Sequence, residues 1–382
     1  MTRAQFLRRA AGAVVGGGAL LGGVGAVQAL AGPDDDKGKS KPDTKALEVT
    51  MVKDLTGEGI TDAYGMAATD LGIPVKTPDG RLLFVFGDTW VDKPIGNEWR
   101  APVGLYSTTT DLAQGITWSG AVGGDYARQF WEYEHDNPEF STVLPSDVVA
   151  IGDTLYLHVA VQKPYPNVVW TEIWRSRDNG ETWQLTPAVW GKEGTPGLHE
   201  LFQMVTFGLG DDGWIYIYST KFDRTGPIIM HRVRAEDIEN PTAYQPWGYY
   251  EGEGWRWGSW GDRVDPIREG AYGELCLRPI DGKWLLTCLN LDAGGEVAIE
   301  AYVLPTPDAD LAHAQGQKLI RNVDWSENNP EAGLVSQPYG GYIIPGSTLS
   351  DLHISVSQWE NPDNTPDDWC YHVMQYRVRG LV

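Results

Sequence analysis

Short apolar runs with period-two alternation recur along the chain, separated by Gly, Asp and Pro turns. Helical periodicity is brief, its best fragment lying near Asp308–Gln317. That pattern predicts an all-β fold. The runs repeat in one order: a first strand, a tight turn, a second strand of alternating apolar residues, and a third with bulky or charged residues. Second strands are predicted at Leu82–Phe86, Leu155–Val161, Trp214–Thr220, Trp284–Leu289 and Leu352–Ser357, beginning 73, 59, 70 and 68 residues apart. Five such units predict a five-bladed β-propeller with its extra length in loops. Each second strand ends on a polar position, at Gly87-Asp88, Gln162, Lys221, Asn290 and Gln358. These endings predict a ring of hydrogen-bonding side chains at one mouth of the central channel.

The first blade carries the sharpest feature. In Ala67–Trp90 two strand-like runs flank a Pro78-Asp79-Gly80 turn, and each holds one aspartate at its far end. A three-residue loop pairs Thr77 with Arg81, so paired positions sum to 158, as Asp70 and Asp88 do. In that register their Cβ atoms lie roughly 4.5–5.5 Å apart, and like charges so placed weaken a sheet unless they serve a purpose. Hydrolysis of a glycosidic bond needs such a pair, one carboxyl protonated and one ionised. The competing reading is a polar strand end with Asp70 bonded in a turn, and Pro74 marks a place for a bulge that would shift the register.

Composition narrows the partners. The formal net charge of −22, from 30 basic and 52 acidic residues, argues against nucleic acid or an anionic membrane surface. With 17 Trp and 17 Tyr against 8 Phe, the chain is rich in flat rings that suit both sheet packing and sugar stacking. The segment Tyr244–Asp262 offers a sugar platform, Trp255 and Trp257 foremost, and Trp90 beside Asp88 is a second candidate. His135 lies within reach of the mouth or is an ordinary packed histidine. Cys276 and Cys288 flank an Asp281-Gly282 turn, where a cross-strand bond and two buried thiols both fit. No Cys/His spacing suggests zinc, and no loop declares calcium, which stays open. No phosphate-cradling glycine loop or nucleophile elbow is present.

The N-terminus reads as an export signal over 1–31. Arg3, Arg8 and Arg9 precede an apolar Gly/Ala-rich segment, and Ala29-Leu30-Ala31 offers cleavage. The flanking residues fit a twin-arginine-like or a general secretory route. Residues 32–45 read as a disordered linker, and 46–382 as the propeller. No later stretch is apolar for long enough to span a bilayer. The expectation is a secreted or envelope-associated monomer, uninserted once the signal is cleaved.

A second motif supports the propeller. Ser176-Arg177-Asp178-Asn179-Gly180-Glu181-Thr182-Trp183 matches the Asp-box, Ser-x-Asp-x-Gly-x-Thr-Trp, with a degenerate copy over Ser107–Trp118. Asp178 would cap backbone N–H groups, Gly180 take the strained dihedral and Trp183 pack beneath, all structural roles.

The Thr69-Asp70-Leu71-Gly72 and Phe86-Gly87-Asp88-Thr89-Trp90 runs, with Gln337-Pro338-Tyr339-Gly340-Gly341-Tyr342, resemble the exported actinobacterial family domain of unknown function 4185. Part of that family is glycoside hydrolase family 183, the endo-D-arabinanases. The resemblance covers 47–382, with its specific motifs mostly in 67–90. It implies a five-bladed propeller that cleaves internal D-arabinofuranosyl linkages of mycobacterial arabinogalactan or lipoarabinomannan without a required cofactor. The family's two essential aspartates fall on Asp70 and Asp88.

From its apolar neighbours Asp70 is expected to be the acid, and Asp88, flanked by Gly87 and Thr89, the base or nucleophile. Glu274 and Glu200 are candidates for a third carboxylate. Lys221, Asn290 and Tyr339 are candidates for contacts with sugar. A sialidase would need clustered arginines, and none of the five strand endings is arginine. A propeller lectin would need equivalent pockets in every blade, whereas the carboxylate pair occurs only in blade one.

Overall fold

A computed structural model describes residues 47–381 apart from 363, 364 and 366–368. The predicted export signal and the linker lie outside the described residues. The fold is a five-bladed β-propeller. Blade I is built from Ile73–Lys76, Leu82–Phe86, Val103–Ser107 and Trp118–Ala121, in that order from the channel outward. Blade II runs Thr142–Ile151, Thr154–Gln162, Val168–Ser176 and Gln184–Trp190. Blade III has a fifth strand: Met204–Leu209, Trp214–Thr220, Ile229–Arg234, Gln245–Tyr250 and Gly254–Trp257. Blade IV comprises Tyr272–Ile280, Lys283–Asn290, Ala298–Leu304 and Gln317–Asn322, with Leu334–Val335 added in parallel.

Blade V combines both ends of the described chain. Pro338–Ile343, Leu352–Glu360 and Cys370–Arg379 are completed by Glu48–Asp54, which pairs antiparallel to Cys370–Arg379. This pairing joins the ring through backbone hydrogen bonds. The five inner strands neighbour one another around the channel. Each predicted second strand is observed to within a few residues, because alternation with turn punctuation marks strands buried on both faces.

The Asp308–Gln317 segment forms turns, and its last residue opens the strand Gln317–Asn322; only 3-10 turns occur among the described helical elements. Pro305, Pro307 and Gly316 bracket a stretch too short to nucleate a helix. No described helix is long and apolar enough to cross a membrane. Cys276 and Cys288 are free and buried. Cys276 pairs with Thr287 and Leu275 with Cys288, so the two thiols are offset by one residue and point to opposite faces.

The blade II turn at 176–183 is tied by its own side chains. Asp178 accepts from the Thr182 amide at 2.9 Å and its hydroxyl at 2.6 Å, while Ser176 accepts from the Gly180 amide at 2.8 Å. The Trp183 indole donates to the Gly180 carbonyl at 2.9 Å beneath the turn. Within the channel, Asp147 of blade II is fully buried and meets Arg278 of blade IV at 2.6 Å. Thr206 of blade III donates to the same carboxylate at 2.7 Å. One ion pair and one hydroxyl bond thus tie three blades together at Asp147.

Candidate active site

Inner strands begin and second strands end at the same mouth. The terminal pairs there are Thr142 with Gln162, Met204 with Thr220, Tyr272 with Asn290 and Pro338 with Gln358. In blade I the corresponding place belongs to Asp70 and Asp88. The hairpin pairs Lys76 with Leu82 through Ile73 with Val85, and beyond it Thr69 pairs with Thr89 and Ala68 with Trp90. Every one of these pairs sums to 158, so the same register holds on both sides of Asp70 and Asp88, and between the two stretches the Gly87 amide donates to the Asp70 carbonyl at 3.3 Å. Pro74 pairs with Phe84 and introduces no bulge. The irregularity lies instead at Leu71 and Gly72, whose φ angles are 68° and 67°. Blade V holds this kink in place: Ser357 accepts from the Leu71 amide at 2.8 Å and Ser355 donates to the Gly72 carbonyl at 2.7 Å.

Gly87 has a steric reason to precede Asp88. A Cβ at that position would sit 2.5 Å from Oδ1 of Asp70 and 3.0 Å from Leu71. Asp70 is half-buried, whereas Asp88 has no exposed surface. Each carboxyl accepts from a neutral ring donor. Tyr339 of blade V donates to Oδ2 of Asp70 at 3.0 Å, and the Trp99 indole donates to Oδ1 of Asp88 at 2.7 Å. Burial, followed by the charge of Asp70, holds the Tyr339 phenol well above its ordinary range, so it remains a donor at neutral pH.

Trp99 went unnoticed in the sequence because it lies on the irregular 91–99 loop, where no period marks its direction. Its ring stacks on His135 at 3.7 Å between centroids and on Trp90 at 6.1 Å. His135 therefore belongs to the surroundings of Asp88. Trp90, expected to meet sugar, is only 3% exposed and packs edge-on to Tyr371 at 5.7 Å. It serves as backing for Trp99.

Arg224 is the other residue not foreseen. It lies in the loop after the second strand of blade III, with φ of 63°. Its side chain crosses to blade IV, where Nη2 meets Oε1 of Glu274 at 2.6 Å, and its guanidinium carbon lies 5.2 Å from the Tyr339 ring centroid. Burial works against the charge, yet Glu274 raises the Arg224 pKa above its ordinary value. Glu274, a predicted third carboxylate, is thereby linked to Asp70 through Arg224 and Tyr339. Glu200, the other candidate, is exposed and takes no part in these contacts.

The remaining candidates separate. Lys221 is ion-paired with Asp223 at 2.8 Å on the Arg224 loop, and its side chain is 37% exposed. Asn290 is buried with both polar atoms engaged: it donates to Glu300 at 2.8 Å and accepts from the Asp292 amide at 3.0 Å. It caps its strand end instead of facing sugar. Trp255 and Trp257 lie on the outermost strand of blade III, far from the inner strands. Trp257 packs on Arg232 at 4.2 Å and Tyr216 at 6.1 Å between blades III and IV, while Trp255 is 42% exposed. The platform belongs to the rim of the disc because the fourth and fifth strands of blade III carry it outward. Among the described residues, no group of three or more His, Cys, Asp or Glu side chains is placed to hold a metal ion.

A family model, Domain of unknown function (DUF4185), matches residues 56–377. The chain belongs to the DUF4185 family. An uncharacterized 35.9 kDa protein from Mycolicibacterium smegmatis is 30% identical over 336 residues, covering 84% of this chain and 95% of that one. Among solved structures, a Bacteroides ovatus protein described as a candidate hydrolase superposes with a TM-score of 0.57 at 14% identity, covering 84% of this chain and 87% of that one. A GH43_1 enzyme from Xanthomonas citri gives a TM-score of 0.50 at 11% identity, with 85% and 90% covered. At these identities the DUF4185 chain shares a fold with propellers that include glycoside hydrolases. Activity must be argued from its own residues.

Proposed function

We propose that this DUF4185 protein is an exported glycoside hydrolase that cleaves internal D-arabinofuranosyl linkages in the arabinan of an actinobacterial envelope. The observation that carries the reading is that Asp70 and Asp88 lie between the two paired stretches of one hairpin at one mouth of the channel. Each is oriented by a ring donor that stays neutral at physiological pH. In this reading the half-exposed Asp70 meets the glycosidic oxygen and protonates it. Asp88, held by the Trp99 indole, acts as nucleophile or activates water. The ion pair between Asp147 and Arg278 gives the channel a polar plug below the site. The net acidic balance of the chain suits a neutral polysaccharide, and the shared fold with glycoside hydrolases supports the class of reaction.

The test is incubation of the purified chain, and of Asp70→Asn and Asp88→Asn, with mycobacterial arabinogalactan, followed by anion-exchange separation of products. The expected result is a ladder of arabino-oligosaccharides from the unmodified protein and at least a roughly thousandfold slower release from each variant. Absence of products from the unmodified protein would refute the assignment for this polysaccharide.

A further inference from the structure

We propose that Glu274 and Arg224 form a recognition pair that takes two adjacent hydroxyl groups of one sugar ring at this mouth. Glu274 is 5% exposed, yet its Oε2 has no hydrogen-bond partner among the described residues. A buried acceptor of this kind is uncommon and calls for a ligand to complete it. Its other oxygen is held by Nη2 of Arg224 at 2.6 Å. Arginine has five N–H donors, of which this contact uses one. The Arg224 side chain keeps 32% of its surface exposed.

The backbone is arranged around this pair. A register shift between Tyr272 and Leu275 bulges the first strand of blade IV at Gly273-Glu274, and bulges re-aim side chains beside active sites. A Cβ on Gly273 would come within 3.2 Å of Cδ of Arg224, so glycine there lets the arginine pass over the strand. Arg224 itself holds a left-handed φ of 63°, a conformation unfavourable for a side chain of its kind. On the far side its guanidinium lies over the Tyr339 ring, whose hydroxyl bonds Asp70. The pair is therefore one phenol away from the proposed acid.

Its chemistry selects the ligand. An acceptor and a donor held edge to edge match neighbouring hydroxyls: one gives its proton to the carboxylate, and the other accepts from the guanidinium. A free anion would be repelled by Glu274, and a cation by Arg224. The lack of a third His, Cys, Asp or Glu in a metal-holding arrangement among the described residues also disfavours a metal. The inference rests on the mouth being a glycan site, and it does not require hydrolysis.

The experiment compares a linear arabinofuranosyl oligosaccharide with its fully O-methylated counterpart. Binding to the full chain carrying Asp88→Asn is measured by calorimetry, alone and combined with Glu274→Gln, Glu274→Asp or Arg224→Met. The free oligosaccharide should bind the parent about 100-fold more tightly than the methylated one, because a site built for hydroxyls rejects their loss. Glu274→Gln and Arg224→Met should each weaken the free sugar by roughly 30-fold and collapse the discrimination, while Glu274→Asp recovers part of it. Thermal melting identifies any variant that fails to fold, and the Asp substitution then carries the comparison. Unchanged affinity and discrimination in the variants would overturn the pair, as would a parent that binds neither sugar. Binding lost as expected, in a protein that releases no products from arabinan, would remove the hydrolase reading and leave the pair standing. A product ladder with unaltered KM and kcat in both variants would do the reverse.

Discussion

The Trp99 indole donates to Asp88 across 2.7 Å while its ring stacks on both Trp90 and His135. Asp88 is thus oriented by a donor that does not ionise at neutral pH. Trp99→Phe keeps a ring in the stack and deletes the N–H. The expected outcome is a fall in kcat of about 10- to 100-fold, the scale of one hydrogen bond to a buried carboxyl. Steady-state kinetics on arabinan, with melting curves alongside, checks this. An unaltered kcat would remove Trp99 from the site.

Gly87 gives a sharper steric test. A methyl group there would lie 2.5 Å from Oδ1 of Asp70, so Gly87→Ala must push that carboxyl from its place. Overpacking of this kind costs about 1–3 kcal/mol of stability. Activity should fall more steeply, by at least about 100-fold, because a displacement of an ångström misaligns the reacting groups. Rates and urea midpoints measured on the same preparation separate the two effects. Full activity would show that Asp70 tolerates displacement and does not act there.

The channel ion pair should govern stability with little effect on chemistry. Asp147 is fully buried and receives Arg278 on both oxygens, at 2.6 Å and 2.8 Å. Asp147→Asn leaves the guanidinium without its counter-charge, and breaking a buried pair from one side costs about 3–5 kcal/mol. The double change Asp147→Leu with Arg278→Met should recover much of that loss, since apolar replacement of a buried pair is often neutral. Urea denaturation measures both. Equal stability of Asp147→Asn and the parent would refute the plug.

Much of this architecture is legible in the chain because local rules determine it. The Pro78-Asp79-Gly80 loop fixes the hairpin count, and that count holds from Lys76 with Leu82 out to Ala68 with Trp90, on both sides of Asp70 and Asp88. Alternation marks the second strands. Features that depend on distant partners are not legible in this way. The strand at 48–54 finds its place only beside 370–379. Arg224 gains meaning only when its side chain reaches blade IV, and Trp99 only when an aperiodic loop folds back onto Asp88. Trp90 and Asn290 depart from expectation for one reason: beside a mouth, the sequence does not distinguish a side chain lining the cavity from one buried behind it. The irregularity expected at Pro74 occurs at Leu71-Gly72, because an edge-compatible proline fits an inner strand whose N–H is not needed.

Acid should destabilise the fold well before its carboxylates are protonated. His158 and His231 are 0% and 3% exposed in the core between blades II and III, on either side of Phe202 at 6.1 Å and 5.1 Å between ring centroids. Burial lowers each imidazole from 6.5 to about 3. The unfolded chain therefore binds protons below about pH 6.5 that the folded chain refuses until about pH 3. Between those values stability must fall as pH falls, by about 1.4 kcal/mol per pH unit for each histidine, and above pH 6.5 the two contribute no slope. At pH 5 the loss from the pair is about 4 kcal/mol. Urea unfolding at pH 7.5, 6.0 and 5.0 measures it, and His158→Phe should remove about half of the slope that this pair contributes. A stability flat from pH 7.5 to 5.0 would mean that water reaches these imidazoles, contrary to their enclosure around Phe202.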